Sequence, residues 1–440
     1  MSTKRHWIAE LARKRPGTVL FSLHHVIDLE WMQEAYALTR KDGATGIDGV
    51  TAADYEANLE ANLLDLRERI ISGRYQAPPV RRTYIPKADG TQRPLGIPTF
   101  EDKVAQRAIA MVLEAVYEQD FRTCSYGFRP GRSAHDALRN LFSAIMKGQH
   151  WVVEVDIRKY FDSISHCHLR KFLDQRVTDG VMRRMIDKWL KAGVLENGHL
   201  QRATEGTPQG GVISPILSNI FLHYVLDEWF EREVKPSLKG AGTLVRYADD
   251  FVMTFKNHHD AKRVLGALGE RLGRYGLTLH PDKTRFIDFR PKRQGGTHPD
   301  CQEPPFDFLG FTHVWGKSKN GKAVVRQVTA KSRLARALLA VKEWCRDNRH
   351  QPILKQHDRL ATKMQGHYAY YGVTGNMRQL QRYFYRVTRL WRKWLERRTR
   401  SHCLTWARFK AFLIPHPLPL PRITHRYAPA SKALPRGTGC

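Results

Sequence analysis

Two short apolar runs on either side of a pair of adjacent aspartates constrain the fold of this chain more than any other feature. Leu244–Tyr247 and Phe251–Phe255 have the length and the β-branched or aromatic content of strands, and only Ala248–Asp250 separates them. So short a connection between two strands predicts an antiparallel hairpin with the aspartates at its tip.

The aspartates at this tip, and one at the end of a further apolar run, are suited to bind metal. Residues 151–157 are typical of a largely buried strand that carries Asp156 near its end. Carboxylates on rigid strands are ligands that Mg²⁺ accepts while it keeps positions for substrate phosphates. Two such ions activate an attacking 3′-hydroxyl and stabilise the leaving pyrophosphate in phosphoryl transfer.

The two neighbouring aspartates are expected to differ in role. Adjacent residues of a strand point to opposite faces of its sheet, so Asp249 and Asp250 do not occupy equivalent positions in a regular strand. We expect Asp249 to bridge the ions and Asp250 to be the weaker ligand. A pair of solvated turn aspartates is the alternative.

The remaining segments alternate irregularly between helix and strand. Arg81–Pro86 and Arg93–Pro98 predict a second hairpin around a turn at residues 87–90. Apolar residues at helical spacing predict helices within about 20–75, 101–117, 158–190, 215–230 and 259–275. Hairpins in place of repeated βαβ units favour an α+β fold over a doubly wound sheet.

The chain is strongly basic, and most of its excess charge lies near the C-terminus. It contains 73 Lys and Arg against 43 Asp and Glu, a formal charge of +30. Residues 331–440 alone contain 24 Lys and Arg but four Asp and Glu. A polyanion is the expected partner; nucleic acid is the leading one, and an anionic membrane surface competes with it. No run approaches the roughly 20 apolar residues of a membrane-spanning helix, and the N-terminus lacks the apolar stretch of a secretory signal, so we expect a soluble intracellular protein.

Residues 378–393 predict a helix with two distinct faces. The apolar positions, which we assign to the core, are Leu380, Phe384, Val387, Trp391 and Trp394. The cations on roughly the opposite face, called the basic stripe below, are Arg378, Arg382, Arg386, Arg389 and Lys393. Since none of these cations has an acidic residue four positions away, the stripe predicts contacts to nucleic-acid phosphates, and a solvated face is the alternative.

Seven segments, in one order, resemble the sequence blocks of reverse transcriptases. Tyr247-Ala248-Asp249-Asp250 resembles their metal-binding hairpin. The other segments are Tyr84–Pro98, Ser125–His135, Asp156–Asp162, Gly206–Pro215, His280–Thr284 and Phe308–Phe311. Many motifs in one order are more specific than any single one. The chain resembles a bacterial group II intron-encoded reverse transcriptase and maturase, of the type that lacks an endonuclease.

The resemblance implies a role for each matching position. It implies an RNA-directed DNA polymerase with two Mg²⁺ ions, whose ligands are Asp156, Asp249, Asp250 and the carbonyl of Ile157. Phe161 would be the steric gate, its ring filling the space that a ribonucleotide 2′-hydroxyl requires. The residues expected to contact the incoming dNTP are Arg81, Lys87, Arg93, Gln209 and Lys283.

The resemblance also implies the architecture and the partners. We expect a right-hand polymerase with α+β fingers and palm, an antiparallel palm sheet and a helical thumb. The domains are a mostly helical N-terminal extension at 1–75, fingers and palm at 76–315, a thumb or maturase domain at 330–414 and a Pro-rich basic tail at 415–440. The partners are group II intron RNA, an RNA template with a DNA primer or target DNA, and dNTPs, in the bacterial cytoplasm or on the nucleoid and away from membranes. A catalytically silent RNA-binding splicing factor and a reverse transcriptase repurposed by the host are the alternatives.

Overall fold

The chain forms two compact units. The computed structural model describes residues 3–86, 90, 92–196, 199–201, 205–207, 210–291, 305–318, 320–398 and 404–426. The first unit comprises Met1–Ala144 and Gly148–Asp288, and the second comprises Ile145–Lys147 and Phe289–Cys440. The predicted division into an extension, fingers and palm, thumb and tail stays a prediction.

Helices surround a buried central helix, α5, in the first unit. The helices are α1 (Thr3–Lys14), α2 (Leu29–Leu38), α3 (Ala52–Glu56), α4 (Leu59–Ile71), α5 (Phe100–Tyr117), α6 (Ala134–Met146), α7 (His166–Asp174), α8 (Gly180–Lys191), α9 (Ser214–Leu222) and α10 (His258–Gly273). Val104, Ala108 and Met111 of α5 are completely buried, as their spacing predicts. The predicted helical content of residues 20–75 is confirmed by α2, α3 and α4.

Two four-stranded sheets complete the first unit. The strands are β1 (Val80–Pro86), β2 (Gln92–Ile97), β3 (Trp151–Val155), β4 (Val194–Glu196), β5 (His199–Gln201), β6 (Gly242–Tyr247), β7 (Asp250–Phe255) and β8 (Arg285–Asp288). The first sheet has the order β2-β1-β4-β5, with β1 and β4 parallel and the other pairs antiparallel. The second has the order β6-β7-β3-β8 and is antiparallel throughout. Both predicted hairpins and the α+β class are confirmed.

The register of the second sheet brings the predicted metal ligands to one edge. Val155, the last residue of β3, pairs with Phe251 near the start of β7. Because the strands are antiparallel, the residue that follows β3 lies beside the turn that precedes β7. Asp156 and the aspartates of the hairpin therefore meet, although about 90 residues separate them in sequence.

The helix that follows α9 is irregular. His223–Asp227 and Phe230–Val234 form π-helical turns; the first lies within the predicted helix 215–230, and the second begins where that prediction ends. Single π-helical turns are rare and are frequent at functional sites. Here the first of them ends at Asp227, a completely buried carboxylate.

The second unit combines a small antiparallel sheet with four described helices. Its strands are β9 (Phe306–Phe308), β10 (Phe311–Lys317) and β11 (Ala323–Thr329), in the order β11-β10-β9. Its helices are α11 (Lys331–Asp347), α12 (Ile353–Tyr371), α13 (Met377–Glu396) and α14 (Trp406–Leu413). Leu309 and Gly310 join β9 to β10 with φ of +49° and +80°, the left-handed pair of a tight two-residue hairpin turn.

The predicted two-faced helix is α13, but its buried face differs in part from the prediction. Leu380, Val387 and Trp391 are completely buried as expected. Phe384 and Trp394 are only partly buried, and the neighbouring positions Tyr383 and Leu395 are buried as well. The apolar stripe of a helix that faces the core is about 100° wide. It therefore also includes Tyr383 and Leu395, which lie three or four positions from the buried residues Leu380 and Trp391. Across the described residues, no helix is both long enough and apolar enough to cross a membrane.

Candidate active site

Asp249 lies at the tip of the β6–β7 hairpin. Tyr247 pairs with Asp250, so Ala248 and Asp249 form a two-residue turn. Ala248 has a φ of +58°, in the left-handed region that a residue with a Cβ adopts only at a cost in free energy. Other contacts must therefore stabilise this turn.

A buried arginine holds the turn from behind. Arg246 donates from Nε and Nη2 to the two carboxylate oxygens of Asp227, at 2.7 and 2.5 Å, and both side chains are 0% exposed. Its Nη1 also donates to the carbonyl oxygen of Ala248 at 3.0 Å and to Oδ1 of Asn219 at 2.9 Å. A further bond runs from Nη2 to Oγ of Ser125 at 2.8 Å. One guanidinium thus links a π-helical turn, α9 and the strained residue of the hairpin.

The segment Ser125–His135 packs against the same hairpin. The backbone N–H of Tyr126 donates to the carbonyl of Arg246 at 2.8 Å, and the Arg246 N–H donates to Cys124 at 2.8 Å. A Cβ on Gly127 would lie 2.4 Å from the backbone nitrogen of Ala248. Only glycine permits this close approach, which explains its presence in the segment.

Two of the three predicted carboxylates act on each other at the sheet edge. Burial and the negative charge of Asp156 raise the pKa of the Asp249 carboxyl, although the charge of Arg93 lowers it and the net shift is upward. Nζ of Lys283 lies 3.1 Å from Oδ2 of Asp156. Asp250 is the exposed first residue of β7. Asp156 and Asp249 form a like-charge pair that a cation between them would stabilise.

The donor set at this edge fits a divalent cation in part. Carboxylate and carbonyl oxygens are the ligands that Mg²⁺ prefers, and the backbone around Ile157 is fixed. The N–H of His280 donates to the backbone carbonyl of Asp156 at 2.8 Å, and the N–H of Arg158 donates to the backbone carbonyl of Thr278 at 2.9 Å. Among the residues that the structure describes, however, no three His, Cys, Asp or Glu side chains are grouped so that they can hold a metal ion. The fit therefore rests on the pair Asp156 and Asp249, with Asp250 beside it.

Phe161 lies close to this edge, in the one-turn 3₁₀ helix Tyr160–Asp162. Its ring is half-buried, and its carbonyl accepts a hydrogen bond from the N–H of Thr207 at 2.8 Å. The hydroxyl of Tyr160 donates to the carbonyl of Ser218 at 2.9 Å, which fixes the turn against α9. The segments that contain Phe161 and Thr207 thus lie together, as blocks of one site.

The cations predicted to bind the triphosphate are placed differently from one another. Arg93 on β2 is exposed and acts electrostatically on Asp249. Arg81 donates from Nε and Nη2 to the carbonyl of Thr45, at 3.1 and 2.7 Å, so much of its hydrogen-bonding capacity serves the fold. Lys87 and Gln209 lie outside the described residues.

The loop before α9 also approaches the first sheet. A Cβ on Gly210 would lie 2.5 Å from the carbonyl oxygen of Gly96 in β2, and the φ of Gly210 is +111°. Glycine is therefore required there for two reasons: other residues rarely adopt this φ, and a Cβ would collide with the carbonyl of Gly96. The predicted nucleotide-binding segments around residues 81–97 and 206–215 come together in this way.

Sequence reasoning missed the group formed by Arg246, Asp227 and Asn219. The available signal was the position of Arg246 inside the apolar run 244–247, since a charged residue in a buried strand needs a partner of opposite charge. That partner, Asp227, lies in none of the seven segments that resemble reverse transcriptase blocks.

The five cations of the basic stripe all lie on the exposed face of α13. Within the described part of the chain, none of the five forms an ion pair. A different basic residue near the C-terminal end of α13, Arg392, does form an ion pair: its Nη2 lies 3.3 Å from Oε2 of Glu396. The stripe thus presents unneutralised positive charge to solvent.

The sequence of this chain matches a known protein family. Residues 85–313, more than half of the chain, match the family model described as reverse transcriptase (RNA-dependent DNA polymerase). The chain belongs to the reverse transcriptase family. The predicted enzyme class, an RNA-directed DNA polymerase, is thereby confirmed.

Several relatives of this reverse transcriptase are intron proteins. Protein YkfC of Escherichia coli (strain K12) is 37% identical over 331 residues, which cover 67% of this chain and 82% of YkfC. The group II intron-encoded protein LtrA of Lactococcus lactis subsp. cremoris is 44% identical over 165 residues, which cover 37% of this chain and 27% of LtrA. A solved structure of Candida albicans telomerase with a TWJ fragment of telomeric RNA aligns with a TM-score of 0.43 and 13% identity, over 82% of this chain and 65% of that chain. The predicted kinship with group II intron-encoded reverse transcriptases is confirmed.

Proposed function

We propose that this reverse transcriptase is encoded by a group II intron and copies RNA into DNA with two bound Mg²⁺ ions. The observation that carries the two-metal proposal is that the half-buried Asp249 and Asp156 lie at one sheet edge, where the charge of Asp156 acts on Asp249. Arg93 acts on Asp249 and Lys283 pairs with Asp156, so both supply positive charge there. When bound, the ions lower the pKa of the primer 3′-hydroxyl and neutralise charge on the leaving pyrophosphate.

We assign metal binding and triphosphate binding to different side chains of the site. Asp156 and Asp249 would hold the ions, and Asp250 and the carbonyl of Ile157 would complete the ligand set. Lys283, paired with Asp156 in the absence of substrate, exchanges this carboxylate for a phosphate of the dNTP. Arg93 also binds the triphosphate, since its charge already reaches Asp249.

We assign three further residues to contacts with the dNTP. Lys87 and Gln209 flank segments that meet near Gly96, and we assign them to the triphosphate and to the nucleotide, respectively. Arg81 contributes the donors that Thr45 does not use. A guanidinium suits bidentate phosphate contact, and an ammonium supplies a compact positive charge.

The second part of the proposal is that the basic stripe binds intron RNA, which assists splicing and mobility of the intron. The support is the unneutralised charge of the basic stripe together with the similarity to LtrA, a group II intron-encoded protein. The DNA around the reading frame tests this origin. A structured group II intron is expected there, and its absence would favour a reverse transcriptase repurposed by the host.

Shortening the side chain of Phe161 is expected to admit ribonucleotides. In the variant Phe161→Val, the space for a 2′-hydroxyl opens while the carbonyl bond to Thr207 is kept, so use of rNTPs should rise more than use of dNTPs falls. Steady-state primer extension with each nucleotide type measures the ratio. Phe161→Tyr, which keeps a ring at the same position, is the matched control and should keep the parent's preference, whereas an unchanged ratio in folded Phe161→Val would remove Phe161 from the gate.

Removing three cations from the basic stripe is expected to weaken RNA binding in a salt-dependent way. Each neutralised phosphate contributes about −0.7 to −0.9 to the slope of log K against log salt. The triple change of Arg382, Arg386 and Arg389 to Gln should therefore flatten that slope by about two to three units, with little change in thermal stability. Binding titrations at several salt concentrations measure it.

The control for this triple variant removes the same charge elsewhere. Lys14, Arg40 and Arg346 each pair with a neighbouring carboxylate, so changing these three to Gln should leave the slope close to that of the parent. Equal slopes for the stripe variant and the parent would show that the stripe does not contact phosphates.

A further inference from the structure

A groove of about 730 Å³ lies on the second unit between α11, α13 and the start of α14. Three of its lining side chains are apolar and unusually accessible: Leu339, Tyr385 and Trp406 are 49%, 59% and 41% exposed. Contiguous exposed apolar surface is unfavourable in water and marks binding sites. We therefore expect the groove to bind a ligand that has an apolar or aromatic part.

Both aromatic rings of the groove have a guanidinium over one face. Cζ of Arg389 lies 5.5 Å from the centroid of the Tyr385 ring, and Cζ of Arg392 lies 4.5 Å from that of Trp406. The pair of Arg392 with Glu396 fixes this second cation in place. Cation–π contact holds each ring in a defined orientation while leaving exposed ring surface for stacking.

The positive charge of the groove favours a negatively charged ligand. Lys342, Arg386, Arg389 and Lys393 line it and form no ion pair within the described part of the chain. The acid of the lining, Glu396, is paired with Arg392. The complementary ligand thus combines negative charge with flat aromatic surface, as a nucleotide chain does.

The accessible rings favour unpaired nucleotides over a double helix. In a duplex the bases stack on one another and present only their edges, so a protein ring has no base face to contact. In loops and bulges the bases are splayed out and stack on aromatic side chains and guanidinium planes. An anionic bilayer offers charge but no aromatic face for Tyr385 and Trp406, and is the poorer match.

We propose that this groove binds unpaired nucleotides of an RNA loop or bulge. Bases stack on Tyr385 and Trp406, and the adjoining phosphates contact Arg386 and Lys393. The proposal rests on the RNA binding assigned above to the basic stripe and adds that the RNA here is single-stranded. The groove would then distinguish unpaired from base-paired RNA, because only an unpaired base can stack on its rings.

The test compares Tyr385→Leu with Tyr385→Phe on two RNA oligonucleotides with equal numbers of phosphates, one a full duplex and one a hairpin with an unpaired loop. 2-Aminopurine in the loop reports stacking by fluorescence quenching. A lost stacking contact should lower affinity for the loop RNA by about 5- to 140-fold and abolish the quenching. Affinity for the duplex should change less than twofold, and Tyr385→Phe, which keeps the ring, should behave like the parent.

The outcomes separate this proposal from the one on which it rests. Equal losses for loop and duplex RNA, or no loss for either, overturn the proposal while RNA binding by the stripe stands. If the parent binds neither RNA, the proposed RNA binding is itself wrong. Binding to phosphatidylserine vesicles that falls in Tyr385→Leu, with RNA binding unchanged, would assign the groove to a membrane and overturn the proposal. The assay contains no dNTP, so polymerase activity does not affect it.

Discussion

Asp249→Asn is expected to abolish primer extension on an RNA template while leaving RNA affinity close to that of the parent. The amide has nearly the same volume as the carboxylate but carries no charge, so it cannot neutralise a divalent ion between itself and Asp156. Loss of several kcal/mol of charge stabilisation in the transition state corresponds to a rate lower by about three orders of magnitude. Single-nucleotide extension at saturating dNTP measures this rate, and filter binding measures affinity.

A neighbouring aspartate provides the matched control for this result. Asp282 lies one position from Lys283, and its side chain is 87% exposed. Asp282→Asn makes the same chemical change without altering the pair at the sheet edge, so its rate should stay within about twofold of the parent. Asp250→Asn should fall between the two, as the weaker ligand. Extension by Asp249→Asn near the parent rate would exclude Asp249 from metal binding.

The sequence was sufficient for those parts of the site that local interactions determine. The runs 244–247 and 251–255 form strands because they are short and apolar, and three residues between them leave a hairpin as the only connection. The helix α5 follows from its apolar spacing in the same way. Asp156, Asp249 and Asp250 were candidate metal ligands on the local pattern alone, and the motifs in a fixed order then separated that prediction from the alternative of solvated turn aspartates.

Contacts between distant segments were beyond this reasoning. Arg246 meets Asp227 and Ser125 across 19 and 121 residues of chain, and no periodicity in the sequence links these positions. The same holds for Arg81, whose bond to Thr45 depends on how the first sheet packs on the N-terminal segment. The buried face of α13 was predicted only in part, since the neighbouring helices decide which positions of a broad apolar stripe are covered.

Arg246→Met is expected to lower the free energy of unfolding by about 3–5 kcal/mol. The change leaves the carboxylate of Asp227 completely buried without its partner, and an uncompensated buried charge is the costly outcome of breaking such a pair. The carbonyl of Ala248 loses its donor as well, at a residue whose φ is already +58°. Chemical denaturation of parent and variant measures the loss.

A second variant distinguishes a positioning role of Arg246 from a purely structural one. In Asp227→Leu/Arg246→Met, two apolar side chains replace the buried ion pair, and such replacements are often neutral or stabilising. Most of the lost stability should therefore return. Primer extension should nevertheless be slower than that of the parent in both variants, because Ala248 and Ser125 lack the donor that fixes the turn next to Asp249. Recovery of both stability and extension would show that Arg246 only stabilises the fold, and parent-like stability of Arg246→Met alone would show that the pair contributes little even to that.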